Sequence, residues 1–218
     1  MTKAILYSYW RSSCSWRVRI GLHLKEIPYE MRTVDILKPD GEQHTSEFRK
    51  INPMSKVPAL HIDNRTLIES SYCKLKMSIL QYLEETRPQN PLMPKDLRER
   101  IRVREICEVI VSGIQPLQNI GLKEHVGDEN WLNWTQLWIN KGFTALEDII
   151  STTGKEYCVG DNITLADCCL VPQVYNAKNY RVNMSLYPSI SRINKNLENH
   201  PAFLATHPNN QPGSPKTN

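Results

Sequence analysis

Ser12, Ser13, Cys14 and Ser15 stand together in this chain, and hydroxyls crowded beside a thiol can hold an anion or become one. Just before them runs Ala4-Ile5-Leu6-Tyr7-Ser8-Tyr9, of strand composition; just after come Trp16, Val18, Ile20, Leu22 and Leu24, with Arg17, Arg19 and His23 interleaved. The pattern predicts a strand that hands over at once to a helix whose first turn holds these four residues. The first N–H groups of a helix have no partner inside it and carry partial positive charge, which makes that end a seat for an anion. Two chemical uses fit: the thiolate of Cys14 itself, or the thiol of a bound cofactor hydrogen-bonded by a serine hydroxyl. A third reading needs no chemistry, since Ser12 or Ser13 also serves as an ordinary helix cap.

The elements that must position these residues follow in order. Lys25-Glu26-Ile27-Pro28 breaks the first helix, and Tyr29 to Val34 alternates as a second strand. A polar connection, Leu37 to Glu42, leads to a short helical piece around Ser46 to Lys50. Pro58 stands just ahead of a strand expected at Ala59 to Ile62, a placement that a cis Val57-Pro58 bond at a tight corner would explain. Asp63-Asn64 reads as a hairpin turn and Arg65 to Ile68 as the returning strand, before a helix ending at Ile79 to Glu85. Strand, helix, strand, helix, strand, strand, helix predicts a small mixed sheet covered by helices, the thioredoxin-like plan, over residues 1–86.

Residues 87–94 contain Pro88, Pro91 and Pro94 and read as a linker. Beyond it strands disappear, so the fold class is α/β plus all-α, with a helical domain over residues 95–218. Asp96 to about Ile120 has helical periodicity that Gly113 and Pro116 should interrupt. Trp131 to Ile150 is a second long helix, with Trp134, Leu137, Trp138, Phe143, Leu146 and Ile150 assigned to its apolar side. Thr164-Leu165-Ala166-Asp167 opens a third as a capping box, Pro172 should bend it, and a last helix follows Tyr187-Pro188 to Leu197. The tail from His207 should be loosely held.

The 218 residues suffice for two small domains, and no apolar run approaches the roughly 20 residues of a membrane span. The start has no apolar segment ending at a small-residue cleavage site, so the expected location is the cytoplasm. Six cysteines, Cys14, Cys73, Cys107, Cys158, Cys168 and Cys169, include no C-x-x-C pair and no zinc spacing; free, mostly buried thiols are expected, with no metal. The net charge of +4 is spread among acids rather than gathered in a stripe. That argues against nucleic acid as a partner, while favouring anionic small molecules.

The string Ser12-Ser13-Cys14-Ser15-Trp16-Arg17-Val18-Arg19-Ile20, with Asn52-Pro53-Met54, Lys56-Val57-Pro58, the Tyr82 to Pro88 segment, Gly113 to Asn119 and Ala166 to Gln173, resembles the zeta class of glutathione transferases. The resemblance covers nearly the whole chain. It implies glutathione as cofactor, cis-trans isomerisation of maleylacetoacetate to fumarylacetoacetate, and glutathione transfer to small α-halo acids or other electrophiles. A free thiol with pKa near 8.5 is only a few per cent ionised at neutral pH; lowering that by about two units takes roughly 2.7 kcal/mol of thiolate stabilisation. One charge-assisted hydrogen bond and a helix end are together of that order.

By resemblance Ser12 is the main catalytic residue, with Ser13 and Cys14 beside it. Gln43, Val57 through its backbone, Glu69 and Ser70 would hold glutathione, and Gln115 and Asn119 would line the site from the helical domain. The substrates are short electrophilic carboxylates, for which Arg11 is the nearby cation, and a homodimer is implied. The arginines Arg98, Arg100, Arg102 and Arg104 read instead as a solvated helix face.

Two features depart from the class pattern. Residues 71–76, Ser71-Tyr72-Cys73-Lys74-Leu75-Lys76, intervene between Glu69-Ser70 and the third helix, where the γ-glutamyl end should bind. Asn179 stands where an arginine for the substrate carboxylate is expected, with Arg181 two residues on. If the insertion spoils the cofactor site, the alternative is a non-catalytic ligand-binding protein of the same fold.

Overall fold

The computed structural model describes residues 3–68 and 77–215. The chain divides into two compact units, Met1–Asn90 together with Pro201–Asn218, and Pro91–His200. The boundary after Asn90 lies within residues 87–94, and the last stretch is grouped with the first unit.

In the first unit, β1 (Ala4–Ser8) leads through a short loop into α1 (Ser13–Leu24), followed by β2 (Tyr29–Thr33), α2 (Ser46–Ile51), β3 (Ala59–Ile62), β4 (Arg65–Ile68) and α3 (Ser78–Thr86). The sheet order is β2-β1-β3-β4. The pair β1–β2 is parallel and the pairs β1–β3 and β3–β4 are antiparallel, with Leu6 opposite both Met31 and Leu60. Asp63 and Asn64, with φ of +52° and +58°, form the two-residue hairpin turn that asparagine and aspartate tolerate best among side-chain-bearing residues. Ala4, Leu6, Val18, Leu22, Leu60, Ile62, Ile79 and Leu83 pack into one core between sheet, α1 and α3.

Apolar residues at every second position of α1 cannot form one stripe on a 3.6-residue helix. The helix is accordingly buried without a break from Ser15 to Leu22, Arg17 and Arg19 included. Gly21 lets α1 approach α3, since a Cβ there would lie 2.3 Å from Leu80 Cδ2. Below, the buried Lys25 ammonium pairs with Glu84 at 2.7 Å and donates to the carbonyls of Arg87, Gln89 and Asn90, at 2.8, 3.4 and 3.3 Å. That cation takes up the carbonyl of Arg87, the C-cap of α3, and holds the start of the connecting segment.

In the second unit α4 (Leu97–Glu108) is capped by Asp96, whose carboxylate accepts from Arg98 N at 2.9 Å and Glu99 N at 3.0 Å. Where interruption was expected, α4 gives way to a π-helical turn (Val109–Ile114) and a 3-10 turn (Gln115–Gln118). Next come α5 (Lys123–Val126), α6 (Asp128–Thr153), α7 (Leu165–Asn179) and α8 (Pro188–Glu198). Of the apolar side assigned to the helix at 131–150, Phe143, Leu146 and Ile150 are buried as expected, but its first half buries Trp131, Thr135 and Ile139 instead, and Leu137 is 58% exposed. Thr135 joins the buried row because its hydroxyl donates back to the Trp131 carbonyl at 2.9 Å, while Trp134 instead directs Nε1 to the Leu117 carbonyl at 2.8 Å.

The capping box of α7 forms as expected. Asp167 accepts from Thr164 N at 2.8 Å and also from Cys158 N at 2.9 Å. Pro172 lies buried inside an otherwise continuous α7. Cys107, Cys158, Cys168 and Cys169 are buried and not disulfide-bonded, and Cys14 is partly exposed; Cys73 lies outside the described residues.

The final stretch is not loose through its described length. It forms α9 (Pro201–Thr206), which packs on α1, and a 3-10 turn (Pro208–Asn210), and it buries Gln211, whose amide donates to the carbonyls of Ala205 and His207 at 2.9 and 3.0 Å. Among the described residues no helix is long and apolar enough to cross a membrane.

Candidate active site

The loop between β1 and α1 sets the position of Ser12. Ser12 N donates to the Tyr9 carbonyl at 3.1 Å, and the Ser12 carbonyl accepts the first helical bond from Trp16 N at 2.9 Å. Ser12 is the N-cap of α1, and its Oγ accepts from Ser15 N at 3.2 Å. The capping role and the chemical role are compatible, because a hydroxyl that accepts from Ser15 keeps its own proton to donate outward. Ser13 is buried, Cys14 is partly exposed, and the buried Ser15 hydroxyl has no partner among the described residues. Arg11, in the turn just before the helix, is exposed.

Gln43 and Val57 lie in the same unit. Gln43 sits in the 3-10 turn Glu42–His44, where its Nε2 donates to the Ile36 carbonyl at 3.5 Å and its buried Oε1 has no partner among the described residues. Gly41, at φ +57°, makes room for this amide: a Cβ there would stand 2.5 Å from Gln43 Nε2. Val57 precedes Pro58 across a cis peptide bond at the start of β3. The loop before it is held by the buried Asn52, whose Nδ2 donates to the Lys56 carbonyl at 2.7 Å and whose Oδ1 accepts from Met54 N at 2.9 Å.

Two residues escaped the sequence reading. Lys56 is half-buried close enough to Cys14 to feel its sulfur: burial pulls its ammonium below the usual lysine range, and Cys14 opposes that shift. Arg19 is fully buried, and burial lowers its guanidinium to about 10, so it stays charged at neutral pH. The signal for Arg19 was present in the period-two pattern of α1, which leaves no exposed face for an arginine.

Glu69 and Ser70, and the insertion at 71–76, lie outside the described residues. The described part of α3 begins at Ser78, whose hydroxyl donates to the Ile68 carbonyl at 2.7 Å. Gln115 and Asn119 belong to the second unit. Gln115 opens the 3-10 turn that follows the π-helical turn, and Asn119 spends its Oδ1 on Gly121 N at 3.0 Å. Between them Gln118 and Gln173 exchange amide hydrogen bonds of 2.8 and 3.0 Å in a buried pair that pins this turn to α7. Asn179 is exposed at the end of α7, and Arg181 follows at φ +57°.

Residues 11–86 match the family model of the glutathione S-transferase N-terminal domain, and residues 128–205 match that of the C-terminal domain. The chain belongs to the glutathione S-transferase family. Among relatives of this transferase, a protein of Drosophila melanogaster named probable maleylacetoacetate isomerase 2 is 57% identical, with 97% of this chain and 90% of that protein covered. Of solved structures, the holo form of a maleylpyruvate isomerase described as a bacterial zeta-class glutathione S-transferase aligns with a TM-score of 0.90 at 35% identity, covering 97% of this chain and 100% of the other. A maleylacetoacetate isomerase of Anaeromyxobacter dehalogenans 2CP-1, solved with glutathione in its active site, aligns with a TM-score of 0.84 at 41% identity and covers 98% of both chains. Within the family this transferase falls in the zeta class, with the thioredoxin-like first domain and helical second domain of that fold.

Proposed function

We propose that this transferase carries out glutathione-dependent cis-trans isomerisation of maleylacetoacetate to fumarylacetoacetate, with glutathione transfer to small α-halo acids and other electrophiles as a second capacity of the same site. The observation that carries the reading is the Ser12 hydroxyl held at the N-terminus of α1 with its proton left to donate. The names of its relatives, and the glutathione bound to one of them, support it.

The residues present fit glutathione, since Gln43 keeps a buried acceptor beside Gly41 and Val57 offers backbone at the head of β3. In this reading Gln43 and the Val57 backbone hold the peptide, with Glu69 and Ser70 taking its γ-glutamyl end. Bound there, glutathione would supply a thiolate nucleophile for covalent catalysis at the cis double bond. Ser12 Oγ–H donates to that sulfur and keeps its proton off, helped by the partial charge of the helix end and by Ser13 and Cys14 in the same turn. Arg11 is the cation proposed for the substrate carboxylate, and Gln115 and Asn119 are the residues proposed to contribute from the second unit. The first domain thus binds glutathione and the second the electrophile, in a cytoplasmic homodimer.

Ultraviolet titration of bound glutathione, combined with an assay of maleylacetone isomerisation, tests this. A sulfur ionising about two units below free glutathione, with glutathione-dependent turnover, is the expected result. A thiol that ionises in the protein as it does in buffer would sink the mechanism. For the insertion, deleting residues 71–76 is expected to raise glutathione affinity in calorimetry, and unchanged affinity would remove any role for it in the cofactor site.

A further inference from the structure

Arg19 stands seven positions after Ser12 on α1, fully buried, and among the described residues none of its hydrogen-bond partners is a carboxylate. Its Nη1 donates to Ser8 Oγ at 2.9 Å and to the Tyr9 carbonyl at 3.4 Å, its Nη2 to the Trp10 carbonyl at 3.0 Å, and its Nε to the Thr206 carbonyl at 3.3 Å. Burying a cation among neutral acceptors is costly, and removing a nearly saturated set of donors would cost more. What the fork grips is therefore informative. Three of its four acceptors belong to the end of β1 and the loop leading into Ser12, and one of them, the Tyr9 carbonyl, is the same oxygen that accepts from Ser12 N. The fourth belongs to α9, nearly two hundred residues away in the chain, which is further tied to α1 by Trp16 Nε1 donating to Thr206 Oγ1 at 3.0 Å.

We infer that Arg19 is a positioning residue for the reaction: it fixes the Tyr9–Trp10 backbone that sets Ser12, and it makes the stretch following Pro201 part of the scaffold of the N-terminal site. A lysine cannot replace it, because an ammonium lacks the planar fork that reaches loop and α9 together. The consequence for glutathione rests on the thiolate reading above; the consequence for the Ser12 backbone does not.

The test compares wild-type full-length protein with R19K by amide hydrogen exchange without ligand and by ultraviolet titration of bound glutathione. In R19K the Ser12 amide should exchange about tenfold faster while Leu60, in the middle of the sheet, keeps its wild-type protection. The bound thiol should ionise about one unit higher than in wild type. Equal loss of protection at Ser12 and Leu60 would mean a purely structural role and overturn the inference, as would an R19K protein with Ser12 exchange and thiol titration unchanged. If wild-type protein leaves the thiol at its buffer value, the thiolate reading fails, and selective loosening of Ser12 still decides the role of Arg19. Should R19K not fold, S8A removes one acceptor of the fork with little loss of volume; it must loosen Ser12 selectively, and no change there overturns the inference.

Discussion

A serine at a helix N-cap contributes about 1 kcal/mol through the bond its oxygen accepts, and Ser12 makes that bond with Ser15 N at 3.2 Å. The proposed donation of its proton to a sulfur is a separate role, and two substitutions separate them. S12A loses both, so about 1 kcal/mol of stability and about a hundredfold in kcat/KM should go together. S12D restores a capping acceptor without a donor, so chemical denaturation should show stability recovered while the isomerisation rate stays low. His207 offers a second residue-scale prediction. Its ring meets Trp16 edge-on at 5.3 Å, its Nδ1 accepts from Asn209 N at 3.2 Å, and burial, then the nearby Arg19 charge, lower its pKa. The unfolded chain therefore takes up this proton first as pH falls, and stability is lost going down from about pH 6.5, the unfolded value, through the lower folded one. His23, lowered by the same causes, adds a loss of the same sign. H207Q should flatten, without abolishing, the fall in thermal midpoint between neutral and mildly acidic pH.

Among the elements, α7 depends on a single carboxylate. Asp167 is fully buried and accepts from Cys158 N, Thr164 N and Thr164 Oγ1 at 2.9, 2.8 and 3.0 Å, which ties the preceding loop to the helix start. D167A leaves those donors buried without an acceptor, and a loss of about 3 kcal/mol is expected in urea unfolding. Capping boxes are readable because they depend on residues three apart. The burial of α6 was less so: two tryptophans and Leu137 drew the apolar face toward themselves, but a tryptophan can sit half-buried when its N–H has a partner, as Trp134 does. The break after α4 was legible from Gly113 and Pro116; the π-helical form it takes was not.

For the molecule as a whole, the last segment has its effect at the far end of the sequence. Deleting residues 201–218 removes Thr206 from Trp16 and Arg19 and uncovers the face of α1 on which α9 packs. Loss of stability is expected in the first unit, although the segment follows the second in sequence. Hydrogen exchange should show faster exchange across α1 and β1 with α7 and α8 retaining protection; uniform loosening of both units would contradict this.

By itself the sequence determined the order of strands and helices, the hairpin at Asp63-Asn64, the capping box at Thr164-Asp167 and the serine-rich start of α1, and hence the family and the chemistry to look for. These are local: each follows from residues within a turn or two of one another. Only the tertiary structure decided which acceptors the buried Arg19 fork takes, that Lys56 comes within electrostatic range of Cys14, and that α9 returns to the first unit. Those outcomes depend on which surfaces meet across long separations, where one guanidinium satisfies acceptors from both ends of the chain.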